Sequence, residues 1–342
     1  MNGRQISISA VIAICVMFAL LPVSQNTSES NGKSAVSDRV ESKEYRDFWV
    51  DRFNAVGATR AYDEFKNINE TLPIGTQHLA SHVIGGVLYQ QEGLEGIVVC
   101  DAHFGFGCFH GFFGIALASE GISSIQKLDA ACVSRYGPLG TGCMHGIGHG
   151  ILEYYGYDRI NEALLACEDT TQLVSILGCT SGVFMEYNTP LSEMENGGLV
   201  TLPRVFDDKN SYGPCDRVGN QYKESCYFEL GAWWALSMGS APDDWNKMEQ
   251  LCTALEENNF SYCVFGVGYA LASMNSYDIE NSTQVCDGMN ELSRIYCRAG
   301  AHWALYANPK SRDSASALCD LFDGQSKSMC LRIGRPDLWV EL

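Results

Sequence analysis

Six of the seven histidines fall between positions 78 and 149: His78, His82, His103, His110, His145 and His149. His78/His82 and His145/His149 are spaced i,i+4, which on a helix sets two imidazoles on one face, a turn apart. Two such rings are sound ligands for one ion. His110 and His145 each stand two residues after a cysteine, in Cys108-Phe-His-Gly and Cys143-Met-His-Gly. In neighbouring helices ~8–10 Å apart these two rings would converge on a shared ion. The expected ligand set is therefore His78, His82, His110, His145 and His149. Rich in imidazole and free of thiolate, it suits Cu, Zn or Fe. Glu153 prolongs the His145/His149 stripe, but at ~12 Å along the axis from His145 it cannot easily share their ion. Glu153 and Glu186 are the candidate carboxylates for acid/base or supporting work. The plainer alternative is that the histidines are partly buried packing residues bonded to backbone carbonyls.

Other chemistry is excluded by pattern. The chain holds no H-E-x-x-H, G-x-S-x-G, P-loop or EF-hand loop. It also lacks C-x-x-C and C-x-x-C-H. Ser181 occupies the position of His110 and His145 in its own copy of the motif, but nothing marks it as a nucleophile.

The elements that must position these residues follow from a repeat. The motif recurs at Cys108, Cys143, Cys179, Cys263 and Cys297, and more loosely at Cys226 and Cys330. Successive cysteines are 35, 36, 47, 37, 34 and 33 residues apart. Such a period marks stacked helical units, none of which can bury its apolar face alone. The fold class expected is all-α: an α/α superhelix of about seven two-helix units of ~35 residues. In the unit that holds Cys167 and Cys179, for example, helices are expected over 158–167 and from Cys179 to Tyr187. Glycine three residues after the cysteine (Gly111, Gly146, Gly182, Gly266, Gly300) costs roughly 1 kcal/mol against alanine in a helix. Its recurrence implies close backbone packing.

Fourteen of the fifteen cysteines form seven neighbouring pairs: Cys100/Cys108, Cys132/Cys143, Cys167/Cys179, Cys215/Cys226, Cys252/Cys263, Cys286/Cys297 and Cys319/Cys330. Their regular spacing favours a disulfide within each unit. Cys15 sits in the apolar run 6–23, so residues 1–24 read as a signal peptide or N-terminal anchor. The body is then secreted or extracytoplasmic, with that run as its one possible membrane tether, and disulfides are expected there. Residues 25–43 read as a flexible polar tether. Residues 44–92 read as an N-terminal helical cap and cysteine-free first unit, with Tyr45, Phe48, Trp49 and Phe53 on one face. Residues 93–342 are the stapled repeats, interrupted by an insertion at 188–214 and closed by Arg335–Trp339. A formal net charge of −18 excludes a nucleic-acid partner. In the later units aromatics (Phe228, Trp233, Trp234, Phe265, Tyr269, Trp303) replace histidine. They suit a core, or a stacking face for a protein, peptide or glycan partner.

The ~35-residue two-helix unit, with cysteines flanking its junction and glycine soon after, resembles the Sel1-like, tetratricopeptide-type repeats of secreted cysteine-rich proteins. The resemblance spans about residues 94–334. It departs from that family in its longer cysteine spacing and in a glycine three rather than four positions on. It implies an α/α superhelix used for binding and brings no catalytic residues. Two functions therefore stand: a binding scaffold with a histidine metal site, or a metal-dependent oxidoreductase or hydrolase using the same histidines.

Overall fold

A computed structural model describes residues 42–138, 140–171, 174–189, 204 and 206–334. Residues 1–41, with the expected leader or anchor and nearly all of the tether, lie outside this range. So do 190–203 of the insertion and the Arg335–Trp339 end.

Regular structure among the described residues is entirely helical. Ser42 caps α1 (Lys43–Val56), its hydroxyl oxygen accepting the Tyr45 N–H at 3.1 Å. Gly57, at φ +81°, turns the chain from α1 into α2 (Ala58–Asn69). Trp49 and Phe53 are buried with Tyr62 and Phe65 of α2. Phe48, expected on the same face, is 52% exposed. One residue of helix turns it ~100° from Trp49, so the buried stripe is narrower than the sequence suggested.

From α3 (Ile74–Glu92) a row of long helices follows, each packed on the next. These are α4 (Gly107–Glu120), α6 (Thr141–Tyr155), α8 (Cys179–Asn188), α9 (Lys223–Met238), α11 (Glu257–Met274), α13 (Glu291–Ala307) and α15 (Gly324–Ile333). Shorter helices lead into some of them: α5 (Ile125–Tyr136), α7 (Ile160–Ala166), α10 (Pro242–Thr253), α12 (Ile279–Asp287) and α14 (Ala317–Asp320). All seven neighbouring cysteine pairs are disulfides, with Cα–Cα distances of 5.5–5.7 Å. Each ties the entry to a long helix onto its first turns, and closing so short a loop contributes ~2–4 kcal/mol in the chain-entropy view.

Two units depart from the two-helix expectation. The one stapled by Cys100–Cys108 opens with a 3-10 stretch, Gly93–Val99. The one stapled by Cys215–Cys226 opens, over its described residues, with turns and two short 3-10 segments. Gly93 and Gly96 in the first, and Gly213, Pro214 and Gly219 in the second, withdraw the helix propensity that an opening α-helix needs.

Glycines set the spacing of the long helices. A Cβ at Gly85 would collide with the Cys108 carbonyl, and one at Gly111 with the His82 carbonyl. The same reciprocal contact joins Gly148 to the Cys179 carbonyl and Gly182 to that of His145. It recurs at Gly268 with Cys297 and Gly300 with Phe265. Backbones come closer than ordinary side chains would permit, at a distance suited to Cα–H···O contacts. One apolar core runs from Trp49 to Cys297. Lys310, after α13, pairs with Glu70, after α2, at 2.7 Å, so the row bends back until its late part touches its start. Among the described residues no helix is long and apolar enough to cross a membrane. Seven disulfides point to an oxidising, extracytoplasmic setting.

Candidate metal centre

Three successive helices carry the histidines: α3 presents His78 and His82, α4 His110, and α6 His145 and His149. A glycine directly follows His110 and His145. Gly111 lies on the His82 backbone and Gly146 on Phe109. With no Cβ between the helices, the imidazoles one residue away are drawn into contact across them. The His110 ring lies 5.1 Å from both His78 and His82, 5.4 Å from His145, and stacks on His149 at 4.0 Å. Two triads result, His78/His82/His110 and His110/His145/His149, each with donor atoms within 4.8 Å of one another.

The contacts within the triads run nitrogen to nitrogen. His82 Nε2 is 3.1 Å from His78 Nε2 and 3.3 Å from His110 Nδ1. His149 Nε2 is 3.1 Å from His145 Nε2, which also lies 3.2 Å from the Met185 thioether sulfur. Two of the outer nitrogens, those of His78 and His149, are tied elsewhere. His78 Nδ1 donates to the Phe104 carbonyl at 2.7 Å. That carbonyl belongs to a left-handed run, Phe104, Gly105 and Phe106, with φ +54°, +65° and +65°. Two of the three are not glycine, and such backbone strain, of order 1–3 kcal/mol each, collects at functional sites. His149 Nδ1 donates to the Glu186 carboxylate at 2.9 Å, and Tyr157 Oη donates to its other oxygen at 2.6 Å. With Nδ1 holding the proton in His78 and His149, each Nε2 turns its lone pair inward. A carbonyl or carboxylate behind the ring is the usual second partner of a metal-bound histidine.

Burial dominates the electrostatics. His82, His110, His145 and His149 are almost wholly enclosed, and His78 is half-buried. Desolvation holds all five below the usual histidine range, with neighbouring rings adding to it for His82, His110, His145 and His149. His145 is pushed down to about 3. At neutral pH the rings are uncharged and their lone pairs are open to a cation.

The two carboxylates proposed from the sequence separate. Glu186 is fully buried and anchors His149. Glu153 is exposed, its carboxylate against Gly114 of α4, and belongs to neither triad. His103 pairs with Asp101 at 2.9 Å instead of joining the cluster. His302 lies on α13 beside Tyr306. Ser181 donates to Glu229, a fully enclosed carboxyl that burial pushes up to about 8. Sequence reasoning overlooked Met185, Tyr157 and Glu229. A signal existed for the first: Met185 stands six residues after its cysteine, the position of His149 in the preceding copy. Compared with protein-family models, curated proteins and solved structures, the chain matches none.

Proposed function

We propose that this is an exported, disulfide-stapled α/α repeat protein whose working centre is a transition-metal site held by His78, His82, His110, His145 and His149. The observation that carries the reading is the set of 3.1–3.3 Å separations between uncharged imidazole nitrogens, in a cluster whose His78 and His149 rings are anchored from behind. A tetrahedral ion with metal–nitrogen bonds of ~2.0–2.1 Å has ligand–ligand edges of about 3.3 Å. Without an ion the same separations are those of N–H···N hydrogen bonds between neutral rings, so metal content decides between the two. Among Cu, Zn and Fe, the Met185 thioether beside His145 favours copper, because soft sulfur selects it.

Enclosure favours holding an ion or passing electrons over hydrolysis. A hydrolase needs an open coordination position and a free base. Glu186 is committed to His149 and Tyr157, and Glu153 stands outside the cluster. The row of stapled helices, with its resemblance to Sel1-like repeats, supports reading the body as the scaffold of that site. The later aromatics Phe228, Trp233, Trp234, Phe265 and Trp303 are buried, and core packing is the role this supports.

The test is elemental analysis of the processed, tag-free protein after reconstitution with Cu, Zn or Fe and removal of loose ions. Near-stoichiometric metal is expected in the wild type. The His145→Ala/His149→Ala variant should lose metal while keeping its helical spectrum and disulfides. A wild type that retains no metal overturns the reading.

A further inference from the structure

We propose that the cluster holds two ions, with His110 bridging them through both ring nitrogens. This rests on the metal-centre reading above and adds its nuclearity. The five donors form two sets and not one, and His110 is the only residue in both. The remaining ligands divide by helix: His78 and His82 lie on α3, and His145 and His149 on α6, with α4 between.

Within the first set it is His110 Nδ1 that faces His82 Nε2, at 3.3 Å. His110 Nε2, on the other edge of the ring, is buried and has no hydrogen-bond partner. An orphaned buried nitrogen is costly in a packed interior and calls for an explanation. A second ion held with His145 and His149 supplies one. The outer edges of the cluster match this arrangement, since each set has one ring anchored from behind: His78 by the Phe104 carbonyl and His149 by Glu186.

The proton balance is simple. Neutral His110 carries one N–H. Coordination at both nitrogens sends that proton to solvent and leaves a bridging imidazolate, and no electrons are transferred. The negative charge so created, with Glu186, offsets part of the charge of two buried cations.

Copper(II) itself is the probe. The metal-free, disulfide-intact full chain is titrated with Cu(II), loose ions are removed, and bound copper is compared with spin-integrated EPR intensity. The bridge predicts two coppers per chain. The signal should rise with the first equivalent and fall away with the second, because an imidazolate couples two Cu(II) spins antiferromagnetically. In His110→Ala, any copper that remains bound should keep its full spin intensity. Saturation at one copper, or two coppers with undiminished signal, overturns the bridge while leaving the metal site standing. No retained copper, zinc or iron overturns the site itself. The wild-type titration decides the matter even if His110→Ala fails to fold.

Discussion

At the level of single residues, position in the packed row decides what a carboxyl group can do. Glu186 and Glu153 have the same chemistry in the sequence, yet one backs a histidine and the other lies on the exposed side of α6, its carboxylate against Gly114. The i,i+4 histidine pairs were legible because both members sit on one helix. Their outer partners were not, because Phe104 contributes a backbone carbonyl from a left-handed turn and Glu186 comes from the next copy of the motif. Glu229 gives a test of the same enclosure away from the histidines. Its folded pKa of about 8 lies above the ordinary 4.5, so the folded protein keeps a proton that the unfolded chain releases in that window. Its contribution to stability is therefore lost as pH rises from about 4.5 and levels off above about 8. The depressed histidines act in the opposite sense, weakening the fold as pH drops through their unfolded value near 6.5. Glu229→Gln, an isostere of the protonated acid, isolates the first effect. The variant should match the wild type near pH 5 and melt several degrees higher near pH 9. Parallel melting curves across that range would show that Glu229 ionises freely.

At the level of helices, the spacing that builds the site comes from residues without side chains. The repeat period and the cysteine pairing were legible because cysteine and glycine recur in register, and recurrence needs no knowledge of the partner helix. The glycine three residues after cysteine was identified as a close-packing position. Its counterpart five residues after, in Gly148, Gly231 and Gly268, was not, because Phe113, Phe184 and His302 hold that position in other copies and hide the pattern. The opening α-helices absent at Gly93–Val99 and, over the described residues, before Cys226 were smoothed over by the same regularity. Gly111 and Gly75 make a controlled comparison, since both lie in helices. A methyl group at Gly111 meets the His82 carbonyl, whereas one at Gly75 would point into open space. Gly111→Ala is expected to destabilise by ~1–3 kcal/mol through overpacking, and to weaken metal retention by parting His82 from His110. Gly75→Ala should be neutral or stabilising by up to ~1 kcal/mol. Equal effects of the two in chemical denaturation would mean that the helices are not held at backbone contact.

At the scale of the whole molecule, each long helix packs chiefly on its neighbours in the row, so stability should be regional. The histidines occupy α3, α4 and α6, with Met185 and Glu186 on α8 just beyond. An ion bound there stabilises those helices by mass action, ~2.7 kcal/mol at a free concentration a hundredfold above Kd. Two routes lead from them to the far units. One passes through α8, α9 and α11, and each interface along it is a chance for the effect to fade. The other is the Glu70–Lys310 pair, whose side chains are both about half exposed. A pair so solvated contributes at most ~1 kcal/mol and is a weak link for coupling. Hydrogen exchange with and without metal should therefore show slower exchange across Ile74–Glu120 and Thr141–Asn188, and little change across Glu257–Ala307. The disulfides sharpen this contrast, because each closes a loop inside one unit and none joins distant parts of the chain. Uniform slowing of every helix would instead mean that the row opens as one cooperative body. Coupling would then run through the continuous apolar core from Trp49 to Cys297, and the units would lack the independence that nearest-neighbour packing gives them.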